Sequence, residues 1–275
     1  MRSFASKTVL HAVLLLCAAF MFLPFFWMIT TSVKTYADSV QIPPVWIPTQ
    51  FDFSWYVQVF ERVQFGAYLK NTVIMTIGRV LPQVLICAMA GYGFARLKFP
   101  GRDVLFVIVL ALLMVPGQVV LIPQYFEVVK LGWIDTYAGL IVPQIFSAYG
   151  VFLLRQFFLS LPRELEEAAK IDGANYGTIF FRVLLPLTTP AIATMAFFGI
   201  LWSWNDFLWP LVVVNSDSMK VLSVGMSGLQ GTGRGDAEYP LIMAGAVLCT
   251  VPLIVFFVAL QNYIVKGIAF SAIKG

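Results

Sequence analysis

The chain has 275 residues, is 60% hydrophobic and only 12% charged, and has a mean hydropathy of +0.85. A water-soluble domain of this length carries roughly twice that charged fraction, so the soluble globular classes are excluded. The net charge of +4 comes from lysines and arginines flanking apolar runs, and no nucleic acid partner is expected from it.

A helix that spans a bilayer needs about 20 apolar residues. Six runs of that kind predict an all-α polytopic membrane protein, with spans at about 8–31, 70–95, 103–127, 137–159, 187–213 and 240–265. The whole chain, 1–275, reads as one transmembrane domain in the lipid bilayer. The first run follows Arg2 and Lys7 and outlasts the 7–15 apolar residues typical of a cleaved signal peptide. Leu15 and Leu16 before Cys17 are too bulky for a lipoprotein processing site. An uncleaved first span is expected. Cys17, Cys87 and Cys249 each fall inside a span and give no zinc pattern or disulfide framework. His11 lacks partners at metal-ligand spacing.

The first connection, about 32–69, holds Pro43, Pro44 and Pro48 around Trp46, then Trp55 and Tyr56. Such a segment predicts a stiff, non-helical, aromatic-anchored loop, either interfacial only or touching an extracytoplasmic partner. In the connection 214–239, Gly228 and Gly233 have P-loop spacing, but Arg234-Gly235 stands where Lys-Ser/Thr is required. With Gly225, Gly231 and Gly235 it predicts a flexible connector.

Lysine and arginine placement sets orientation. With the N-terminus inside, the cytosolic side holds Arg2, Lys7, Arg96, Lys98, Arg102, Arg155, Arg163, Lys170, Arg182, Lys266 and Lys274. The outer side holds Lys34, Arg62, Lys70, Lys130, Lys220 and Arg234, eleven against six. Both termini are expected in the cytosol.

Residues 160–186 break the apolar pattern. Ser160 and Pro162 stand where a helix would start. Glu164, Glu166 and Glu167 suit the positive end of its dipole. Glu166 and Lys170 stand four apart and are expected to pair. Leu165, Ala168 and Ala169 share a face, and Gly173 permits a sharp exit. A second short helix, about 174–182, then leads to Leu185-Pro186. The expected product is a short crosswise helix whose small residues let another protein approach closely.

The stretch Glu167-Ala168-Ala169-Lys170-Ile171-Asp172-Gly173-Ala174, with Val183-Leu184-Leu185-Pro186 and Pro190, closely resembles the EAA loop of ABC importer permeases. Val183 replaces the Ile of the family pattern. Met114-Val115-Pro116, Trp204-Asn205-Asp206, Trp209-Pro210 and the ending Lys266-Gly267 to Lys274-Gly275 look like the carbohydrate-uptake subfamily, as in maltose and glycerol-3-phosphate importers. The chain is similar to the shorter, six-span partner of two-permease systems. The resemblance implies a second homologous permease subunit, two ATP-binding cassette subunits that carry ATP and Mg2+, and an extracytoplasmic solute-binding protein, with no cofactor in this chain. It implies that Glu164, Glu167, Ala168, Ala169, Asp172, Gly173, Leu185 and Pro186 couple to the ATPase. It also implies that the tail 266–275, through Ser271, Lys274 and Gly275, reaches between the cassettes.

Polar residues inside a membrane face a protein interior or water. Arg79, Gln83, Gln118, Tyr149, Trp204, Asn205 and Asp206 are the candidates for a translocation cavity or gate for a small polar substrate. Arg79 is placed either against a phosphate-bearing substrate or against Asp206. Gln124 and Gln144 are open between cavity lining and helix–helix bonding. A stand-alone transporter or channel would call for paired intramembrane carboxylates or an inverted repeat. A membrane enzyme would call for a nucleophile–base or metal constellation. The sequence offers one candidate acid, Asp206, and one histidine.

Overall fold

The structure, a computed structural model, describes residues 4–230 and 238–272. All regular structure among them is helical. The chain divides into two compact units, residues 1–66 with 225–252, and residues 67–224 with 253–275.

The first unit begins with α1 (Phe4–Thr31). Its membrane-length part, Lys7–Thr31, has a mean hydropathy of 2.5 and is apolar all round. Leu15, Leu16, Phe20 and Met21 stand exposed, which suits hydrocarbon and would be an aggregation liability in water. The connection that follows is not the non-helical arm expected. It forms α2 (Tyr36–Val40) and α3 (Ser54–Arg62), and the prolines occupy only the stretch between them. Thr35 caps α2 by accepting from the Asp38 backbone N–H. Asp38 in turn accepts from both N–H and hydroxyl of Thr49, so a carboxylate pins the far end of the proline stretch. Lys34 is fully buried. Its ammonium donates to Thr31 Oγ1 and lies 3.8 Å from the Trp27 ring centroid, an arrangement that offsets desolvation by cation–π attraction. Burial still lowers its pKa, with Asp38 opposing.

In the second unit α4 (Phe65–Arg96) supplies a continuous helix of 32 residues, about 48 Å at 1.5 Å per residue. The next three expected spans are not continuous. α5 (Arg102–Ala111) tightens into a 3-10 turn at Leu112–Met114, and α6 (Gly117–Lys130) leaves at 103°. The cause is local: Pro116 drives Val115 into extended backbone, φ −85° and ψ 117°, because the α region is disfavoured before proline. α7 (Tyr137–Ile141) and α8 (Ala148–Ser160) meet at 45° across Pro143 and the Ser147 cap.

After α9 (Glu164–Ile171) the chain runs through α10 (Tyr176–Thr178), a π-helical turn (Ile179–Leu184) and α11 (Leu185–Leu187), then bends 77° into α12 (Thr189–Asn205). The segment expected at 174–182 is thus longer, ending at Leu187. The widened turn precedes Pro186, whose missing N–H and ring crowd the ordinary ladder. The expected fifth span, 187–213, stops at Asn205; Asp206 is extended and α13 (Leu208–Val213) follows. α14 (Leu222–Ser227) replaces part of the expected flexible connector, with Gly225 inside it and Gly228 opening a 3-10 turn. Gly231, Gly233 and Gly235 lie outside the described residues. α15 (Tyr239–Ala272) is the last helix among the described residues.

The packing of α4, α8, the π-helical turn and α12 centres on Cys87, Tyr92, Leu154, Phe158, Ile179, Phe180, Leu184 and Met195. Glycines let these helices close up. A Cβ on Gly91 would sit 2.9 Å from the Arg155 backbone nitrogen, and one on Gly150 would sit 2.4 Å from Met195 Cε. Small residues at helix crossings serve this purpose where no hydrophobic effect drives helices together.

Candidate functional site

The short helix expected within 160–186 is α9. Its first turn carries Glu164, Glu166 and Glu167. Successive side chains turn by about 100°, so Glu164 and Glu167, three apart, share a face and Glu166 points away from it. Glu164 and Glu167 are exposed, whereas Glu166 is buried. Glu166 does not pair with Lys170 as the spacing suggested. Its Oε1 lies 3.0 Å from Arg96 Nε, at the end of α4, and Lys170 sits over the Tyr176 ring. The local reading failed because the inward-facing acid meets a buried guanidinium before it can reach a solvated lysine.

α9 ends in a Schellman motif. Gly173 N–H donates to Lys170 O at 3.0 Å and Ala174 N–H to Ala169 O at 2.9 Å. Gly173 has φ +81°, a value that L side chains disfavour. Asn175 then caps α10, accepting from the Thr178 N–H at 2.8 Å. Ala168, Asp172 and Gly173 are exposed, Ala169 is half-buried against the core, and Ile171 is 86% exposed. Leu185 is half-buried and Pro186 exposed at the start of α11. The outward surface of α9 is therefore an acidic first turn, a flat alanine and an unsheltered isoleucine.

A second cluster lies within the helices. Arg79 donates through Nη1 to Asp206 Oδ2 at 2.8 Å and through Nε to Leu140 O at 2.8 Å. Asp206 also accepts from the Trp209 N–H, at 3.4 Å. One guanidinium thus ties α4 to α7 and to the break between α12 and α13. Gln83 donates to Gln144 O at 3.3 Å, and Gln144 to Gln124 Oε1 at 3.5 Å. The other sequence candidates do not converge here. Trp204 is buried, with its ring 6.3 Å from that of Phe256. Asn205 is exposed and bonds to Leu201 O of its own helix. Gln118 and Tyr149 are exposed, and no hydrogen bond among the described residues joins either to Arg79 or Asp206. Ser271 lies in α15; Lys274 and Gly275 lie outside the described residues.

The sequence reading missed a third group, which clamps the stretch 214–221. Asp135 accepts from the Asn215 and Ser216 N–H groups at 3.0 Å. Asp217 accepts from the Tyr68 hydroxyl and pairs with Lys220 at 2.8 Å. Asn71 donates to Ser218 O and Lys220 O and accepts from the Tyr137 hydroxyl. Both carboxyl groups are held below their ordinary pKa, Asp135 first by the Ser216 backbone N–H and Asp217 first by Lys220. Asp135 has φ 60°, a left-handed conformation that aspartate tolerates, and only that turn state hints at its role in sequence.

Comparison with known proteins agrees with this architecture. Residues 83–270 match the family described as binding-protein-dependent transport system inner membrane component. The arabinooligosaccharides transport system permease protein AraQ of Halalkalibacterium halodurans is 36% identical over 229 residues, 83% of this chain and 81% of that protein. The diacetylchitobiose uptake system permease protein NgcG of Streptomyces coelicolor is 32% identical, covering 98% and 88%. The sn-glycerol-3-phosphate transport system permease protein UgpE of Brucella abortus is 30% identical, covering 96% of each. In fold, the chain is similar to a solved bacterial ABC transporter involved in the import of the acidic polysaccharide alginate, with a TM-score of 0.83, 24% identity, and 96% and 99% coverage. The chain belongs to the family of inner membrane permease components of binding-protein-dependent transport systems.

Proposed function

We propose that this chain is one of two permease subunits of an ABC importer for a sugar or related polyol, phosphorylated forms included. The observation that carries the reading is α9: a short helix, closed by Gly173, that presents Glu167, Ala168 and Ile171 outward. An apolar residue left that exposed on a short charged helix suits a protein partner. Relatives named for oligosaccharide and sn-glycerol-3-phosphate transport support the substrate class. A solved relative in fold, seen with its alginate pentasaccharide-bound periplasmic protein, supports the expectation of a binding-protein partner.

In this reading two ATPase subunits bind ATP and Mg2+ and dock on α9, and the chain itself carries no cofactor and no catalytic residue. Glu167 meets polar or basic groups of the cassette, Ala168 and Ala169 permit close approach, and Gly173 fixes the exit angle. Both termini lie in the cytosol and the tail 266–275 reaches the cassettes. ATP binding and hydrolysis bias a two-state bundle between inward-open and outward-open forms. The breaks at Pro116, Pro143 and Asp206 are where such a bundle can change angle. Asp206 and Arg79 belong to the cavity or its gate, with Gln83 nearby; Gln118, Tyr149 and Asn205 expose polar groups that alternate access would bring to the substrate path.

The test is ATPase activity of the complex reconstituted in liposomes, screened with the binding protein and arabino-oligosaccharides, chitobiose derivatives, alginate oligomers and glycerol 3-phosphate. Stimulation by one of them supports the reading. ATPase activity indifferent to all of them, with uptake that persists without ATP, overturns it.

A further inference from the structure

The acid that α9 turns inward lies outside the stretch quoted for docking, and its surroundings give it a role. Arg96 is the last residue of α4. Its Nη2 donates to Phe158 O and Leu161 O, both at 2.6 Å. These are carbonyls at the C-terminal end of α8, where the helix carries its partial negative charge; Phe158 O also accepts from the Leu161 N–H at 3.2 Å. The Nε of the same guanidinium lies 3.0 Å from Glu166 Oε1, an ion-pair contact without hydrogen-bond geometry, with side chains only 4% and 9% exposed. One cation therefore joins the ends of α4 and α8 to the first turn of α9.

The rings around it add stiffness. Tyr92, one turn back on α4, has its ring 5.8 Å from Phe158 of α8 and 5.2 Å from Phe180 of the π-helical turn. Phe158 and Phe180 are 6.2 Å apart. Three mutually touching aromatics thus sit beside the ion pair, one from each element that meets α9. A buried pair of this kind is a poor source of net stability compared with apolar side chains of the same volume. It does specify one geometry, because neither charge can be left alone in that interior. Glu164 and Glu167 are free to face a partner only because Glu166 holds the opposite side of the helix.

We propose that Arg96 and Glu166 form a buried tie that makes α9 and the cytosolic ends of α4 and α8 move as one body. They are positioning residues: they touch neither nucleotide nor transported solute. The inference rests on the reading of α9 as the element that the ATPase subunits push.

The experiment uses the assembled complex with spin labels on cysteines introduced at Met89 of α4 and Lys170 of α9, with Cys17 and Cys249 changed to alanine. Distances are measured with and without the non-hydrolysable ATP analogue AMP-PNP. The unsubstituted pair is expected to give one narrow distance that AMP-PNP does not change. Glu166→Gln and Arg96→Gln should at least double the width of the distribution and make the distance shift with AMP-PNP, because α9 then follows the ATPase alone. Arg96→Lys, which keeps a cation against Glu166 and the α8 carbonyls, should retain the narrow, nucleotide-independent distance if the tie is the cause. A purely structural role would lower the melting temperature without creating a nucleotide-dependent distance. The proposal is overturned if both single variants, in a complex that retains its ATPase subunits, keep the narrow unchanging distance. Failure of the ATPase subunits to copurify with the unsubstituted permease would strike the reading of α9, while the width of the distribution would still decide on the tie.

Discussion

Removing the Asp206 carboxylate should destabilise the protein through a group that is not itself mutated. The Arg79 side chain is 5% exposed and that of Asp206 23%. In Asp206→Ala, Arg79 keeps only its bond to Leu140 O, and Nη2 already has no hydrogen-bond partner among the described residues. Breaking a buried pair by deleting one partner costs about 3–5 kcal/mol. The part-exposure of Asp206 admits some solvent, which places the loss near 3 kcal/mol, about a hundredfold in the folding equilibrium at 1.4 kcal/mol per decade. Asp206→Asn keeps an acceptor and should lose about 1–2 kcal/mol. The double variant Arg79→Met, Asp206→Leu should lose less than the sum of the single changes, because neither charge is stranded. The assay is thermal unfolding of the purified complex in detergent, read beside uptake. If Asp206→Ala melts like the parent, or if the Arg79 and Asp206 effects simply add, the pair is not the joint between α4, α7 and the break after α12.

Other expectations follow from the same geometry. Gly173→Val forces a β-branched residue into φ +81°, at a cost of about 1–2 kcal/mol; it should release the ATPase subunits on gel filtration while leaving the spans inserted. Gly91→Leu drives a side chain into the α8 backbone near Arg155 and should cost about 1–3 kcal/mol, visible as a lower melting temperature. The clamp on 214–221 should loosen in acid: Asp135 and Asp217 have depressed pKa values, so their contribution is present above the unfolded-state pKa near 3.9 and is lost as pH falls through the lower folded values. Hydrogen exchange at the Asn215 and Ser216 amides, corrected for intrinsic rates, should accelerate over that window, and Asp135→Asn should remove the extra acid sensitivity.

The spans and the α9 motif were legible because both are local. A membrane run declares itself by composition, and a helix closed by glycine declares itself by spacing. Which prolines break a span was not legible, because proline has no single meaning in a membrane helix. Pro24, Pro82, Pro123 and Pro252 stay inside helices, while Pro116 ends one at a bend of 103°. The difference lies in the neighbouring packing, which no window on the sequence contains. Glu166 failed for a related reason. Its partner Arg96 is 70 positions earlier in the chain, 166 minus 96, and a rule for helix neighbours can only offer Lys170. Arg79 and Asp206 sit 127 positions apart and could be suspected only because charges inside spans are rare enough to pair off by elimination.

The claim on which the rest depends is that α9 is the face that the ATPase subunits grip. A photo-crosslinking residue placed at Ala168 tests it in the reconstituted complex. The account predicts a crosslink to the ATPase subunit whose yield changes with AMP-PNP. A crosslink to the solute-binding protein, or labelling of position 168 by an impermeant reagent added only outside sealed cells, would contradict it.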